Sequence, residues 1–429
     1  MAELADIYKA FCESSELSTD SRNCSNGAMF VALKGENFDG NKYVEEVLSN
    51  GARYAIASDE KLRHLQNVFI VDNTLETLQK LAQHHRRKLK FPIISITGTN
   101  GKTTSKELIN AVLSEKYQCK ATAGNFNNHI GVPLTLLSFK DDLEIGIVEM
   151  GANHIGEIEL LCSIAEPDYC LITNVGKAHL EGFGSFEGVK KAKGEMYHYA
   201  FQNNKPIFIN KNNPHLQEMA FLNSKRIEYG DNTEFEARIT ELTPFVNIEW
   251  SDKKLNKEFQ TQTNLIGSYN LENINAAIVI GRYFDVDPTS INEALNKYKP
   301  TNNRSQFIKT DKNRIIMDAY NANPSSMAVA LDNFERIKEK NKLVILGGMK
   351  ELGSDSVEEH KKLINILNNC NFDSIILIGD EFKNLNFSYN HFSTNKQCID
   401  YLKQNQPDQS YILIKGSRSN KLEEILPFL

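Results

Sequence analysis

IISITGTNGKTTSKELINAVL, residues 93–113, decides the fold of this chain. IISIT is a continuous run of apolar and β-branched residues, the pattern of a strand buried on both faces and therefore of a mainly parallel sheet. The glycine loop TGTNGKTT follows it, and after the loop comes a helical stretch whose apolar positions Leu108, Ile109, Val112 and Leu113 share one face. Strand, glycine loop and helix in that order form a phosphate cradle. Gly98 and Gly101, with Thr99 and Asn100 between them, let backbone N–H groups converge on phosphate oxygens. The helix amino terminus adds a partial positive charge and Lys102 a full one. Thr103 or Thr104 can offer a hydroxyl to magnesium. The strict eight-residue phosphate-loop pattern asks for glycine where Ile96 stands, so the reading rests on the context of the loop rather than on the bare motif.

Outward from this loop the chain divides into three textures. Residues 89–300 alternate strand candidates (LEIGIVEM, DYCLITNV, PIFIN) with helical stretches, which predicts a central α/β domain with a mainly parallel sheet and flanking helices. Within it, residues 230–266 read as β-hairpins. Residues 1–88 mix short apolar runs (Ala28–Leu33, Tyr54–Ala57, Val68–Val71) with turn clusters such as KGENFDGN, and end in the polar helical stretch LETLQKLAQHHRRKLK. After KYKPTNNR, residues 301–429 repeat apolar runs (RIIMDAY, KLVILGG, SIILIG, SYILIKG) separated by helices, which predicts a small Rossmann-like domain. A length of 429 residues agrees with two or three domains.

Charge and composition exclude several classes. With 49 Lys and Arg against 55 Asp and Glu, and no basic block, the chain lacks the footprint of a nucleic-acid binder. The start MAELADIYKAFC has neither the basic nor the apolar part of a signal peptide, and no apolar run approaches the roughly 18 residues of a membrane span. A cytoplasmic protein without a membrane partner is expected. The seven cysteines are scattered without a C-x-x-C pair, against both a disulfide framework and a zinc site. Oligomeric state leaves no motif, and monomer is the default.

Magnesium at a phosphate site needs a carboxylate, and Glu149 closes the run LEIGIVEM, where a side chain emerges at the carboxyl edge of a parallel sheet. An acid at a strand end is also often merely solvated. Isolated histidines such as His154 and His179 carry less, being usually surface or packed residues.

The loop TGTNGKTT, the strand end VEMGANHIGEI, the segment TNVGKAHLEGFGS, the tetrad AKGE at 192–195 and GSYNLENINAA, in this order, resemble the Mur ligases, and the likeness covers the whole chain. STDSR followed by MFVALKGENFDGNKY, then DAYNANPSSM and IKGSRSNKLEEI, are similar to the branch of that family that adds D-alanyl-D-alanine to a UDP-N-acetylmuramoyl-tripeptide. Folylpolyglutamate synthetases share the loop but not these phrases. The resemblance implies an amino-terminal domain for the UDP-sugar, a central domain for ATP and a carboxyl-terminal domain for the incoming amine. It implies an acyl-phosphate intermediate, with ATP and Mg2+ as cofactors.

The resemblance also distributes roles. Lys193 corresponds to a carbamylated lysine that holds magnesium together with Glu149 and His179, and Lys102 acts on the phosphates. Asn270 and Asn273, three apart on one helical face, fall near the adenine. Arg304 resembles an arginine that reaches the phosphates, and Asp318 an acid on the ribose. Ser21 and Arg22, with Lys34 and Gly35, are candidates for the uridine diphosphate, and Asn128 is a further candidate substrate contact. Asn321, Asn323, Ser326, Lys415 and Ser417 are candidates for the dipeptide, since a zwitterion needs both donors and acceptors. One departure stands out. Related sequences tend to read LGDMLELG where this chain reads LGGMKELG, which puts Gly348 at an acidic position and Lys350 at an apolar one. Two other readings remain in view: a related amide ligase that adds a single amino acid, and a catalytically silent homologue that binds a UDP-sugar.

Overall fold

The computed structural model describes residues 2–242, 244–301 and 303–429. IISIT is the strand Ile93–Thr97, buried at every position, and it sits inside a six-stranded parallel sheet. The order across that sheet is Arg226–Tyr229, Ile207–Asn210, Tyr169–Ile172, Ile93–Thr97, Ile145–Glu149, Cys119–Ala121. The chain leaves Ile93–Thr97 toward one edge and later returns to its other side, so the glycine loop lies where the winding reverses. That is the position at which open parallel sheets bind ligands. Alternate residues face opposite layers: Ile94 and Ile96 pack with Leu108, Ile109 and Val112 of the helix Lys102–Leu113, while Ile93 joins a second core on the other face.

That second core is shared. The amino-terminal sheet has four parallel strands in sequence order, Leu17–Ser18, Met29–Val31, Tyr54–Ala57 and Val68–Ile70. Phe30 and Ala32 face a small core of their own, whereas Met29, Val31 and Ile56 face the larger one together with Leu78, Leu81, Val132 and Leu161. The helix Thr74–Arg86, capped by Asn73, lies between the two sheets. Its last residue, Arg86, is buried and donates Nε to Ala165 O (2.9 Å) and Nη2 to Asp168 Oδ2 (2.6 Å). Removing the buried guanidinium leaves the carbonyls of Ala165 and Glu166 and the part-exposed Asp168 short of a charged donor. Arg86→Ala is therefore expected to destabilise the protein by about 3 kcal/mol in chemical denaturation. Retention of the Asp168 contact with Lys205 keeps the loss from being larger.

The 230–266 region is an antiparallel meander, Phe235–Glu241, Asn247–Asp252 and Lys257–Gln262. The carboxyl-terminal sheet has the order Gln306–Lys309, Arg314–Asp318, Tyr411–Lys415, Lys342–Gly347, Ser374–Ile378, Asn390–Phe392. All its pairings are parallel except the first, which is antiparallel. Ile316, Val344 and Leu413 serve one face, and Ile315, Ile345 and Ile414 the other. Among the described residues, no helix is long and apolar enough to cross a membrane.

Candidate active site

The glycine loop is built by close approach. Gly98 has φ 143°, and a Cβ there would stand 2.0 Å from Thr173 Oγ1. Gly101, at φ 79°, starts the helix Lys102–Leu113, and a Cβ there would meet Asn273 Oδ1 at 2.5 Å. TNVG at 173–176 buttresses the loop. Thr99 N donates to Asn174 O (2.9 Å), Asn100 N to Asn174 Oδ1 (3.0 Å), and Thr173 Oγ1 to Asn100 O (2.7 Å). Asn174, which also lines the cavity, was not visible as a site residue in the sequence, because its part is to hold the loop through hydrogen bonds to Asn100.

Lys102 folds back on the loop, donating to Gly98 O (2.7 Å) and Thr99 O (3.0 Å). Burial among the pocket walls pushes its ammonium down to about 8; Glu149 opposes this and Arg304 adds to it. A cavity of about 640 Å³ opens above the loop. Thr99, Asn100, Gly101, Lys102, Thr103 and Thr104 line it together with Asn128, Glu149 and His179. From the carboxyl-terminal sheet and its loops come Arg304, Asp318, Asn321, Asn323, Ser326 and Lys415.

Glu149 ends the strand Ile145–Glu149, as its position in LEIGIVEM implied. Its Oε1 accepts from Thr103 Oγ1 (3.2 Å) and Asn127 Nδ2 (2.8 Å), while the buried Oε2 has no hydrogen-bond partner. A buried carboxylate oxygen free of hydrogen bonds, beside a threonine hydroxyl, suits a hard cation with oxygen ligands. Among the described residues no group of three His, Cys, Asp or Glu is placed to hold a metal. The protein's own donors, Thr103 and Glu149, would thus fit a magnesium ion that takes its remaining ligands from a bound phosphate.

His179 and Lys193 stand differently. His179 lines the cavity, with Nδ1 2.5 Å from Glu351 Oε2 but not aligned for a hydrogen bond; the imidazole nonetheless holds the Glu351 carboxyl below its usual range. Lys193 is not among the lining residues. It is buried, with Nζ 3.4 Å from Ala152 O and 5.3 Å from the centre of the Phe183 ring. Burial first, and then the charge of Lys102, push its ammonium down to about 7. His154 is exposed beside Glu157.

The structure gives several of the other candidate residues partners within the protein. Asn273 lines the cavity, but Asn270 does not: Asn270 donates to Ile266 O (2.8 Å) and accepts from Asn273 (2.9 Å), and Asn273 accepts from Ser105 (2.9 Å). The pair is buried and packs the helix Asn270–Tyr283 behind the glycine loop, because inward-facing amides at that point find protein partners first. Asp318 and Lys415, expected on different substrates, form one ion pair (2.5 Å) at the ends of adjacent strands. Arg304 lies over the Tyr320 ring at 3.6 Å, with its buried Nε unpartnered.

Asn323 and Ser326 make a capping box at the start of the helix Pro324–Arg336, and Asn323 Nδ2 also reaches Asn100 Oδ1 of the glycine loop at 2.9 Å. Asn128 Oδ1 is occupied by Ile130 N and Gly131 N, and its neighbour Asn127 is the residue that reaches Glu149. Ser417 lies outside the cavity, where Oγ accepts from Lys350 N (2.9 Å).

No cavity-lining residue comes from 1–88. Ser21 and Arg22 begin a short 3-10 turn in which Arg22 pairs with Asp20 (2.9 Å) in solvent. Lys34 and Asp39 pair through their backbones in an isolated antiparallel β-bridge, and Gly35 N donates to Phe38 O (2.8 Å).

LGGMKELG fits its neighbour Glu381. A Cβ on Gly348 would stand 2.3 Å from Glu381 Oε2, and Lys350 Nζ pairs with the other oxygen of the same carboxylate. Glu381 thus fills the space an acidic side chain at 348 would occupy, and Lys350 balances it. Gly348→Asp should cost about 2 kcal/mol through overpacking, aggravated by like charge, measured by denaturant midpoint. Removing the neighbour as well, in Gly348→Asp/Glu381→Ala, should recover most of the loss.

Comparison with known proteins places this geometry. Residues 96–281 match the Mur ligase middle domain, 303–418 the Mur ligase glutamate ligase domain, and 13–86 the Mur ligase family catalytic domain. The chain is 34% identical to the UDP-N-acetylmuramoyl-tripeptide--D-alanyl-D-alanine ligase of Bacillus subtilis, over 96% of this chain and 92% of that one. It superposes on MurF of Acinetobacter baumannii with a TM-score of 0.88 at 27% identity, covering 99% and 97% of the two chains. On the MurF ligase of Thermotoga maritima in complex with ADP the TM-score is 0.85 at 26% identity, covering 100% and 98%. With family matches along its three parts and relatives similar over nearly its whole length, this chain belongs to the Mur ligase family.

Proposed function

We propose that this protein is an ATP-dependent ligase that joins D-alanyl-D-alanine to UDP-N-acetylmuramoyl-tripeptide, the last cytoplasmic step in making the peptidoglycan precursor. The observation that carries the reading is the single cavity that runs from the phosphate loop to Asp318 and Lys415 at the strand ends of the carboxyl-terminal sheet. A phosphate donor and an amine acceptor can meet there on one activated carboxylate.

In the first step an oxygen of the tripeptide's terminal carboxylate attacks the γ-phosphorus, the bond to the bridging oxygen breaks, and ADP leaves an acyl phosphate. In the second, the dipeptide nitrogen attacks the acyl carbon, phosphate departs, and the amine gives up a proton. Two anions approach in the first step, so fixed positive charge decides its rate. Lys102, the loop amides and Arg304 supply that charge. Magnesium, when bound, would offset further charge on the phosphates.

Thr103 and Glu149 would hold the cation, with His179 and a carbamylated Lys193 as further candidate ligands. Residues 1–88 would carry the UDP-sugar through Ser21, Arg22, Lys34 and Gly35, 89–300 the ATP, and 301–429 the dipeptide near Asn321, Asn323, Ser326 and Lys415.

Mass spectrometry of product from the purified protein with ATP, magnesium, UDP-N-acetylmuramoyl-tripeptide and D-alanyl-D-alanine tests the reading, with single amino acids as alternative acceptors. A pentapeptide formed only with the dipeptide supports it. Product from a single amino acid, or none, overturns the acceptor assignment and directs attention to the loop at Gly348 and Lys350.

A further inference from the structure

Lys106 belongs to the same helix as Lys102, one turn on, yet it turns inward. It is 3% exposed and does not line the cavity. Its Nζ donates to Thr122 O (2.8 Å) and stands 3.6 Å from Glu149 Oε2, the carboxylate oxygen that has no hydrogen-bond partner. Thr122 closes the arrangement, since its Oγ1 accepts from Glu149 N (2.9 Å). The Glu149 carboxylate is therefore held on two sides. Thr103 and Asn127, both cavity-lining, hold Oε1, and Lys106 faces Oε2 from the protein interior.

A carboxylate so deeply buried is costly unless a positive charge accompanies it. Lys106 stands where that charge is needed, and a divalent cation on Glu149 would share the carboxylate with it.

We infer that Lys106 is a positioning residue, the resident partner that keeps the Glu149 carboxylate aimed at the cavity and that, by facing Oε2 from the interior, weakens the hold of Glu149 on a bare divalent cation. Nucleotide phosphates then supply the ligands that the protein withholds, so that metal and nucleotide bind together. The inference rests on the reading of the cavity as a magnesium and ATP site.

The test is Mn2+ titration of the full chain followed by electron paramagnetic resonance, with and without ADP. The wild type should bind Mn2+ weakly alone and at least tenfold more tightly with ADP. Lys106→Met should bind Mn2+ alone at least tenfold more tightly than the wild type, and Mn2+ should raise its melting temperature more than that of the wild type. Lys106→Arg should behave as the wild type.

Equal Mn2+ affinities for the wild type and Lys106→Met overturn the Lys106 inference alone. A wild type that gains no Mn2+ affinity from ADP overturns the reading of the cavity along with it. Should Lys106→Met fail to fold, Lys106→Met/Glu149→Gln decides the matter. Recovery of folding supports the pairing role, and continued failure rejects it.

Discussion

Lys102→Ala is expected to lower ATP turnover at least about 10³-fold, a loss of about 4 kcal/mol in transition-state stabilisation. The size follows from where the ammonium sits. It is the one full positive charge on the glycine loop itself, and it is held over the loop by Gly98 O and Thr99 O, poised to exchange those carbonyls for phosphate oxygens. Neither neutral loop amides nor Arg304, held over Tyr320, replaces a charge at that point. Nucleotide affinity, read by fluorescence titration, should fall much less than turnover, because the contribution is greatest as the phosphoryl group moves. Turnover retained within tenfold of wild type would refute the loop assignment.

Lys193→Ala is expected to cost on the order of 10²-fold in kcat, about 2.7 kcal/mol. Lys193→Arg should lose as much, since a guanidinium keeps the charge but does not form a carbamate. Only a neutral amine reacts with carbon dioxide, and burial brings the Lys193 ammonium down to about 7. The neutral fraction therefore rises as pH passes upward through about 7, and with it the carbamylated fraction and the bicarbonate-dependent part of the activity. Native mass spectrometry should find one added carbon dioxide on the wild type at pH 8 and less at pH 6. Neither variant should show this change. A wild type whose mass and activity ignore bicarbonate across that range would remove Lys193 from the site.

The helix Thr74–Arg86 shows how local pattern and tertiary packing divide the explanation. LETLQKLAQHHRRKLK was readable as a polar helical stretch at the end of the first domain, but not as part of a core. Instead Leu78 and Leu81 join a core continuous with the central sheet, and Arg86 is buried against Ala165 and Asp168. Short edge strands were missed for a related reason. Cys119–Ala121, Arg226–Tyr229, Gln306–Lys309 and Asn390–Phe392 have three or four residues each, too few for a period to emerge, and they become strands because a longer neighbour offers its backbone.

By itself the sequence determined the α/β class, the phosphate loop and the place of Glu149. These depend on neighbouring residues: an unbroken apolar run must be buried, glycines alone fit the loop's backbone, and a strand's last residue lies at the sheet edge. Only the tertiary structure decided which polar side chains face the cavity. Asn270 turned to a backbone carbonyl, Asp318 and Lys415 found each other, and Lys106, which the sequence did not single out, went under Glu149. A buried polar group takes whatever partner the fold brings within reach, and for Asp318 and Lys106 that partner lies far away in the chain.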